Sequence, residues 1–256
     1  MTDTALIAMI ARFLTVGIRV SGLMLFAPFF GSVVIPMRIK AVLVLAVTFV
    51  LLPSVGRNVD VHQIGEWPLI VFTEFLVGAA MGIATNLVFD GVNMAGQVLG
   101  VQMGYSLVNI LDPQSQVDTT VVALFQQSIV MLLFLRMDVH YWLVRAVGKS
   151  FLYLPAGTLK LSSLFTLSLF RTAGEVFSVG VQIAAPVLAA TLVADIVLGL
   201  LGKASPQMPL MLLGPAVKSV LGILIFIASL RYWPDLFRHL FLVSLESGER
   251  ILHLAS

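Results

Sequence analysis

Residues 91–118 read GVNMAGQVLGVQMGYSLVNILDPQSQVD. No charge interrupts them from Gly91 to Leu111, and about 20 apolar residues are enough for a helix to cross the hydrocarbon of a bilayer. Yet the stretch is dense in glycine and amides. Gly96, Gly100 and Gly104 recur every fourth residue, on one helix face, where their bareness lets another backbone approach closely. Asn93, Gln97, Gln102 and Asn109 suit lipid poorly. Leu111-Asp112-Pro113-Gln114 then signals a turn, because proline disfavours helix at the residue before it. Non-helical backbone survives at membrane depth only where protein buries it or where it lines a water-filled cavity. The segment is therefore expected to be a pore constriction or re-entrant loop inside an all-α, multi-span membrane protein.

The rest of the chain agrees with that class. Of 256 residues, 59% are hydrophobic and 11% charged, against roughly 45–50% and 25% in soluble domains. The mean hydropathy is +1.03. These figures exclude an ordinary soluble enzyme. The 20 glycines and 11 prolines exclude collagen-like or disordered chains. Without cysteine there is no disulfide, thiolate metal site or cysteine nucleophile. A net charge of +2 is too small for a nucleic-acid surface. Asp3, with no basic cluster ahead of the first apolar run, argues for an uncleaved anchor rather than a signal peptide.

Six apolar stretches are expected to be helical, at residues 5–30, 39–52, 68–89, 117–135, 175–201 and 210–232. The second is short for a full span. Residues 234–256 alternate charge and apolar groups at helical spacing and read as an amphipathic surface helix. Gly78 and Gly82 repeat the four-residue spacing in the third stretch. Five charges lie inside apolar stretches: Arg12, Arg19, Glu74, Asp195 and Lys218. Each central one facing lipid would cost roughly 2.5–3.5 kcal/mol, so the acids and bases are expected to neutralise one another or neighbours in a complex. Arg12 and Arg19, seven apart, share a helix face. Arg12 and Lys218 lie near stretch ends, where snorkelling serves. Arg19, Glu74 and Asp195 call for burial against protein.

With six spans, Arg57, Arg136, Arg145, Lys149, Lys160, Arg171, Arg231, Arg238 and Arg250 fall on one side and Arg38, Lys40 and Lys203 on the other. That places both termini in the cytoplasm. Five of the nine sit in residues 136–175, and a re-entrant helix there would undo the count. His62, His140, His239 and His253 show no metal-ligand spacing, and no nucleotide or nucleophile-elbow motif occurs. No catalytic, cofactor or metal site is expected. A Ser106–His140 pair is the nearest approach to an intramembrane hydrolase.

Several segments carry a resemblance. They are RVSGLMLFAPFFG (19–31) with Pro36 following, EFLVGAAMG (74–82), AGQVLGVQMGYSLVNILDP (95–113) and IAAPVLAATLVADIVLGLLGKASPQM (183–208). On these the chain resembles the FliR/SpaR export-gate proteins of type III secretion, in the flagellar branch, from about Arg12 to Trp233. Pro209 departs from the asparagine frequent in that family, and Lys203 stands where arginine is common. The resemblance implies one integral membrane domain over residues 1–256, with a FliP-like portion to about 200 and a FliQ-like portion beyond. It implies helical hairpins packed into a spiral assembly with FliP-like and FliQ-like subunits, beside FlhB-like and FlhA-like components. It places the assembly in the bacterial inner membrane, at the flagellar basal body. Its substrates would be unfolded flagellar proteins. It maps a channel plug onto roughly residues 104–119, with Gly104, Tyr105, Ser106, Leu107, Val108, Asn109, Ile110, Leu111, Asp112 and Pro113 as the sealing stretch. It turns the small-residue faces at Gly78, Gly82, Gly96 and Gly100 into contacts between subunits. A secondary transporter for a small solute is the competing expectation, although the broken segments here are not alike as inverted repeats would be.

Overall fold

The computed structural model describes residues 2–32, 34–55, 67–105, 120–159, 163–205, 207 and 210–253. Helices account for nearly all of them: α1 (Thr2–Phe26), α2 (Met37–Val55), α3 (Trp67–Gln102), α4 (Val121–Arg136), α5 (Val139–Tyr153), α6 (Ser163–Ala204), α7 (Leu210–Ser229), a 3₁₀ turn (Leu230–Tyr232) and α8 (Trp233–His253). No strand occurs among the described residues. The breaks have local causes. Pro28 stops α1, and Phe29 follows with φ 69°. Asp138, at φ 56°, ends the pair of turn residues between α4 and α5 and accepts from the Tyr141 amide at 2.9 Å. Aspartate tolerates that left-handed conformation better than most residues.

The protein is an all-α membrane protein. Among the described residues, four helical stretches are long and apolar enough to cross a bilayer: Leu6–Phe26, Trp67–Gln102, Phe170–Ala204 and Leu213–Arg250. The bent pair α4 and α5 makes a fifth if it counts as one span. The expected stretches are regrouped accordingly. Residues 68–89 and the first part of the glycine-rich segment form one unbroken helix, α3, so residues 91–102 are not a re-entrant loop. The charge-free part of α2, residues 41–55, covers about 22 Å at 1.5 Å per residue, and α2 is not among the spanning stretches found in the described residues. Residues 139–153, counted as loop in the sidedness tally, are helical, so Arg145 and Lys149 no longer mark a side.

The chain forms two compact units. The first comprises Met1–Val88, Phe134–Glu175 and Phe241–Ser256, and the second Phe89–Leu133 and Val176–Leu240. In the first, α1 and α3 touch backbone to backbone. A methyl group at Gly78 would strike the Arg19 carbonyl, and one at Gly22 the Phe75 carbonyl. Val16, Val20, Leu23, Val77 and Leu143 close this core. In the second, Gly91 meets Val179 of α6, Gly96 meets Ala123 of α4, and Gly100 meets Thr120. The Thr120 hydroxyl donates to the Gly96 carbonyl at 3.0 Å. The edge-to-face contacts Phe125–Phe226 and Phe226–Trp233, with ring centroids 6.1 and 5.4 Å apart, fill the space beside α7. The four glycines expected to meet other subunits thus have their bare faces covered by their own chain.

Candidate functional site

In the second unit, α6 and α7 run antiparallel as a hairpin. Asp195 lies nine residues before the end of α6 and Lys218 eight residues after the start of α7. At 1.5 Å per residue both are about 12–14 Å from the facing ends of their helices. They meet there, Lys218 Nζ to Asp195 Oδ1 at 3.0 Å. The other carboxylate oxygen accepts from Gln102 Nε2 at 3.1 Å, on the last residue of α3. Three residues on, the Ser219 hydroxyl donates to Tyr105 Oη at 2.8 Å. Between these two bonds, Gly104 turns with φ 88°, and any Cβ there would lie 2.9 Å from the Pro215 ring. Met103 is packed against Gly222. The end of α3 is therefore tied to the α6–α7 hairpin, beside the ion pair internal to it, by two hydrogen bonds and two close packing contacts. The next residue in the chain is Ser106. Residues 106–119, and with them the expected sealing residues Ser106 to Pro113, lie outside the described residues.

The first unit holds the second intramembrane pair. Arg19 Nε donates to Glu74 Oε2 at 2.7 Å, with side-chain exposures of 0% and 1%. Every side-chain nitrogen and oxygen of the pair makes a hydrogen bond. Arg19 Nη1 donates to Ser150 Oγ at 2.8 Å, and Nη2 to the Leu154 carbonyl at 3.2 Å. Its guanidinium carbon lies 3.6 Å from the centroid of the Phe151 ring. Glu74 Oε1 accepts from the Gly157 amide at 3.1 Å. Arginine suits this place because its planar donors and flat face can be saturated together. The knot pins α5 and the turn after it to α1 and α3.

The five charges expected to find partners do so unevenly. Arg19 and Glu74 pair in full burial. Asp195 pairs too, but its side chain is 41% exposed, so it is not the buried group expected. Lys218, expected to snorkel, lies level with Asp195 and pairs with it. Arg12 shares the Arg19 face, yet its Nε is buried with no hydrogen-bond partner among the described residues. Spacing offered no warning of Gln102, Tyr105, Ser150, Gly157 or Ser219 as partners, because none is near its counterpart in the chain. It also missed Gln126, which is fully buried on the inner face of α4 with neither amide atom hydrogen-bonded among the described residues. His140 packs on Tyr141, ring centroids 4.4 Å apart, and its suggested partner Ser106 is outside the described residues. Among the described residues no three His, Asp or Glu side chains converge as a metal would require.

Residues 10–243 match the family of bacterial export proteins, family 1. The chain belongs to that family. Both ion pairs and the end of α3 lie within the matched region. The flagellar biosynthetic protein FliR of Escherichia coli (strain K12) is 30% identical over 225 residues, covering 88% of this chain and 86% of that protein. FliR of Pectobacterium carotovorum is 29% identical over 234 residues, covering 91% and 89%. FliR of Bacillus subtilis (strain 168) is 24% identical over 255 residues, 98% of each chain. Membership in bacterial export family 1 thus covers both compact units, not a single shared hairpin.

Proposed function

We propose that the chain is a subunit of the flagellar type III protein export gate, an apparatus component rather than an enzyme. It sits in the bacterial inner membrane at the flagellar basal body. There it helps to form, and to plug, the channel that passes unfolded flagellar proteins. The observation that carries this reading is the end-to-end likeness to proteins named flagellar biosynthetic protein FliR, up to 98% of both chains. Its partners are FliP-like and FliQ-like gate subunits in a spiral of helical hairpins, with FlhB-like and FlhA-like components beside them. Residues 1 to about 200 play the FliP-like part and residues 201–256 the FliQ-like part. Much of α6 and α7 supports an assembled role: Phe177, Val193, Ile196, Leu200, Val220 and Leu224 are all exposed. Such an apolar surface suits protein neighbours as well as lipid.

The plug is residues 104–119, starting from the anchored pair Gly104 and Tyr105. A plug must be held at its base while its far part moves, and the ties from Gln102 and Tyr105 to α6 and α7 supply such a base. Co-expression tests the assignment. The tagged chain should retain FliP-like and FliQ-like subunits through detergent purification, and cells lacking it should export no flagellar protein. A monodisperse lone chain that binds a small solute would contradict the reading.

A further inference from the structure

In the second unit, α3 meets its neighbours through bare faces. Gly91 admits Val179 of α6, Gly96 admits Ala123 of α4 and Gly100 admits Thr120, while Val92, Ala95 and Leu99 are buried. The side left open is polar. Asp90 and Gln97 are exposed, and Asn93 is half-buried. Asn86, also half-buried, lies four residues before Asp90. At positions 86, 90, 93 and 97 the four share one helix face, in steps of three and four residues. Gln97 Nε2 donates to Asn93 Oδ1 at 3.4 Å, along the stripe. Val98 and Val101 are exposed beside it.

The open faces of α6 and α7 are of the other kind: Val193, Ile196, Leu200, Val220 and Leu224 are exposed and apolar. Such faces suit lipid. A carboxylate and three amides do not, and a polar group at membrane depth is kept against protein or beside water. Nor is the stripe built for a neighbouring helix. α3 places glycine at its close contacts with α1, α4 and α6, and positions 86, 90, 93 and 97 hold none. What satisfies these residues is a water-filled path.

We propose that Asn86, Asp90, Asn93 and Gln97 line the export path and form the surface along which the unfolded substrate slides, an inference that rests on the export-gate reading above. The chemistry fits such a passenger. Amides both donate and accept, so they exchange with water for the backbone N–H and C=O groups of any sequence. A single carboxylate gives little preference for charge, and long polar side chains offer apolar ones no place to stick. Asn86 to Gln97 extends about 16 Å, the length of about five residues of extended chain. The stripe ends five residues before Gln102, at the base of the proposed plug.

The full chain is tested in cells, in the assembled gate, with a photo-cross-linking amino acid placed singly at Asp90, Asn93, Gln97 and Tyr105, and at Val193 and Val220 for comparison. The probe is an exported flagellar protein fused to a stably folded domain that arrests it in the gate. Asp90, Asn93 and Gln97 positions should cross-link to the arrested protein, and Val193 and Val220 positions should not. Asn93→Leu combined with Gln97→Leu should slow export about tenfold without changing assembly, because leucine gives passing apolar side chains a surface to hold. Cross-links to the arrested protein from Tyr105 but not from the stripe would overturn this inference and leave the gate reading standing. So would cross-links from the stripe to another gate subunit, or export at the intact rate by the double variant. No cross-link to the arrested protein from any of the six positions would overturn both.

Discussion

Two ion pairs lie within apolar helices among the described residues, and they are built for different ends. Arg19–Glu74 is sealed: both side chains are out of water, and Ser150, Leu154, Phe151 and Gly157 occupy the remaining polar edges. Asp195–Lys218 is open: the carboxylate is 41% exposed, and it has one further partner described, Gln102. Taking two charges out of water costs several kcal/mol per ion, recovered only when geometry and extra hydrogen bonds are complete. The first pair meets that condition and so can act as a permanent rivet. The second keeps its solvation and can be broken and remade at little cost, which suits the base of the plug proposed above.

The contrast is sharpest when one partner is removed. Glu74→Ala leaves a buried, unpaired guanidinium and should cost about 3–5 kcal/mol, read as loss of folded protein from membranes and a collapsed thermal transition. Adding Arg19→Met should recover only part of this, because the Leu154 carbonyl and the Gly157 amide still lose their partners. Full recovery would mean that the knot is a plain charge pair and not a network. Gln126 supplies the opposite case. Gln126→Met removes a buried amide with no described partner and should raise stability by about 1–3 kcal/mol, seen as a higher unfolding temperature in detergent. Asp195→Asn should change stability by less than about 1 kcal/mol, while an accessibility probe placed at Tyr105→Cys should react faster in its presence. A large stability loss from Asp195→Asn would erase the distinction between the two pairs. The chain has no cysteine of its own to compete with that probe.

Much of the fold was legible from composition and spacing. The amphipathic tail is α8, and the small-residue faces at Gly78, Gly82, Gly96 and Gly100 are close helix contacts. The first half of the glycine-rich segment was misread for a physical reason. Gly91, Gly96 and Gly100 weaken a helix in isolation, but in α3 each lets Val179, Ala123 or Thr120 approach, and tertiary packing outweighs propensity. Charge partners were less legible still. Arg12 and Arg19 are equivalent by spacing, yet among the described residues only Arg19 meets a carboxylate, since pairing depends on which residues of α3 and α5 come level with it. Asp195 and Lys218 could have been paired only by knowing that α6 and α7 lie side by side with Leu198 against Gly214.

The central claim is that residues 104–119 close a protein-export channel from a base fixed at the end of α3. The most direct measurement is the proton permeability of vesicles holding the co-purified gate, assembled with this chain intact or shortened by deletion within residues 108–114. The shortened chain should assemble normally and leave the vesicles leaky to protons and small ions. A gate that assembles with the shortened chain and stays as tight as the intact one would contradict the account.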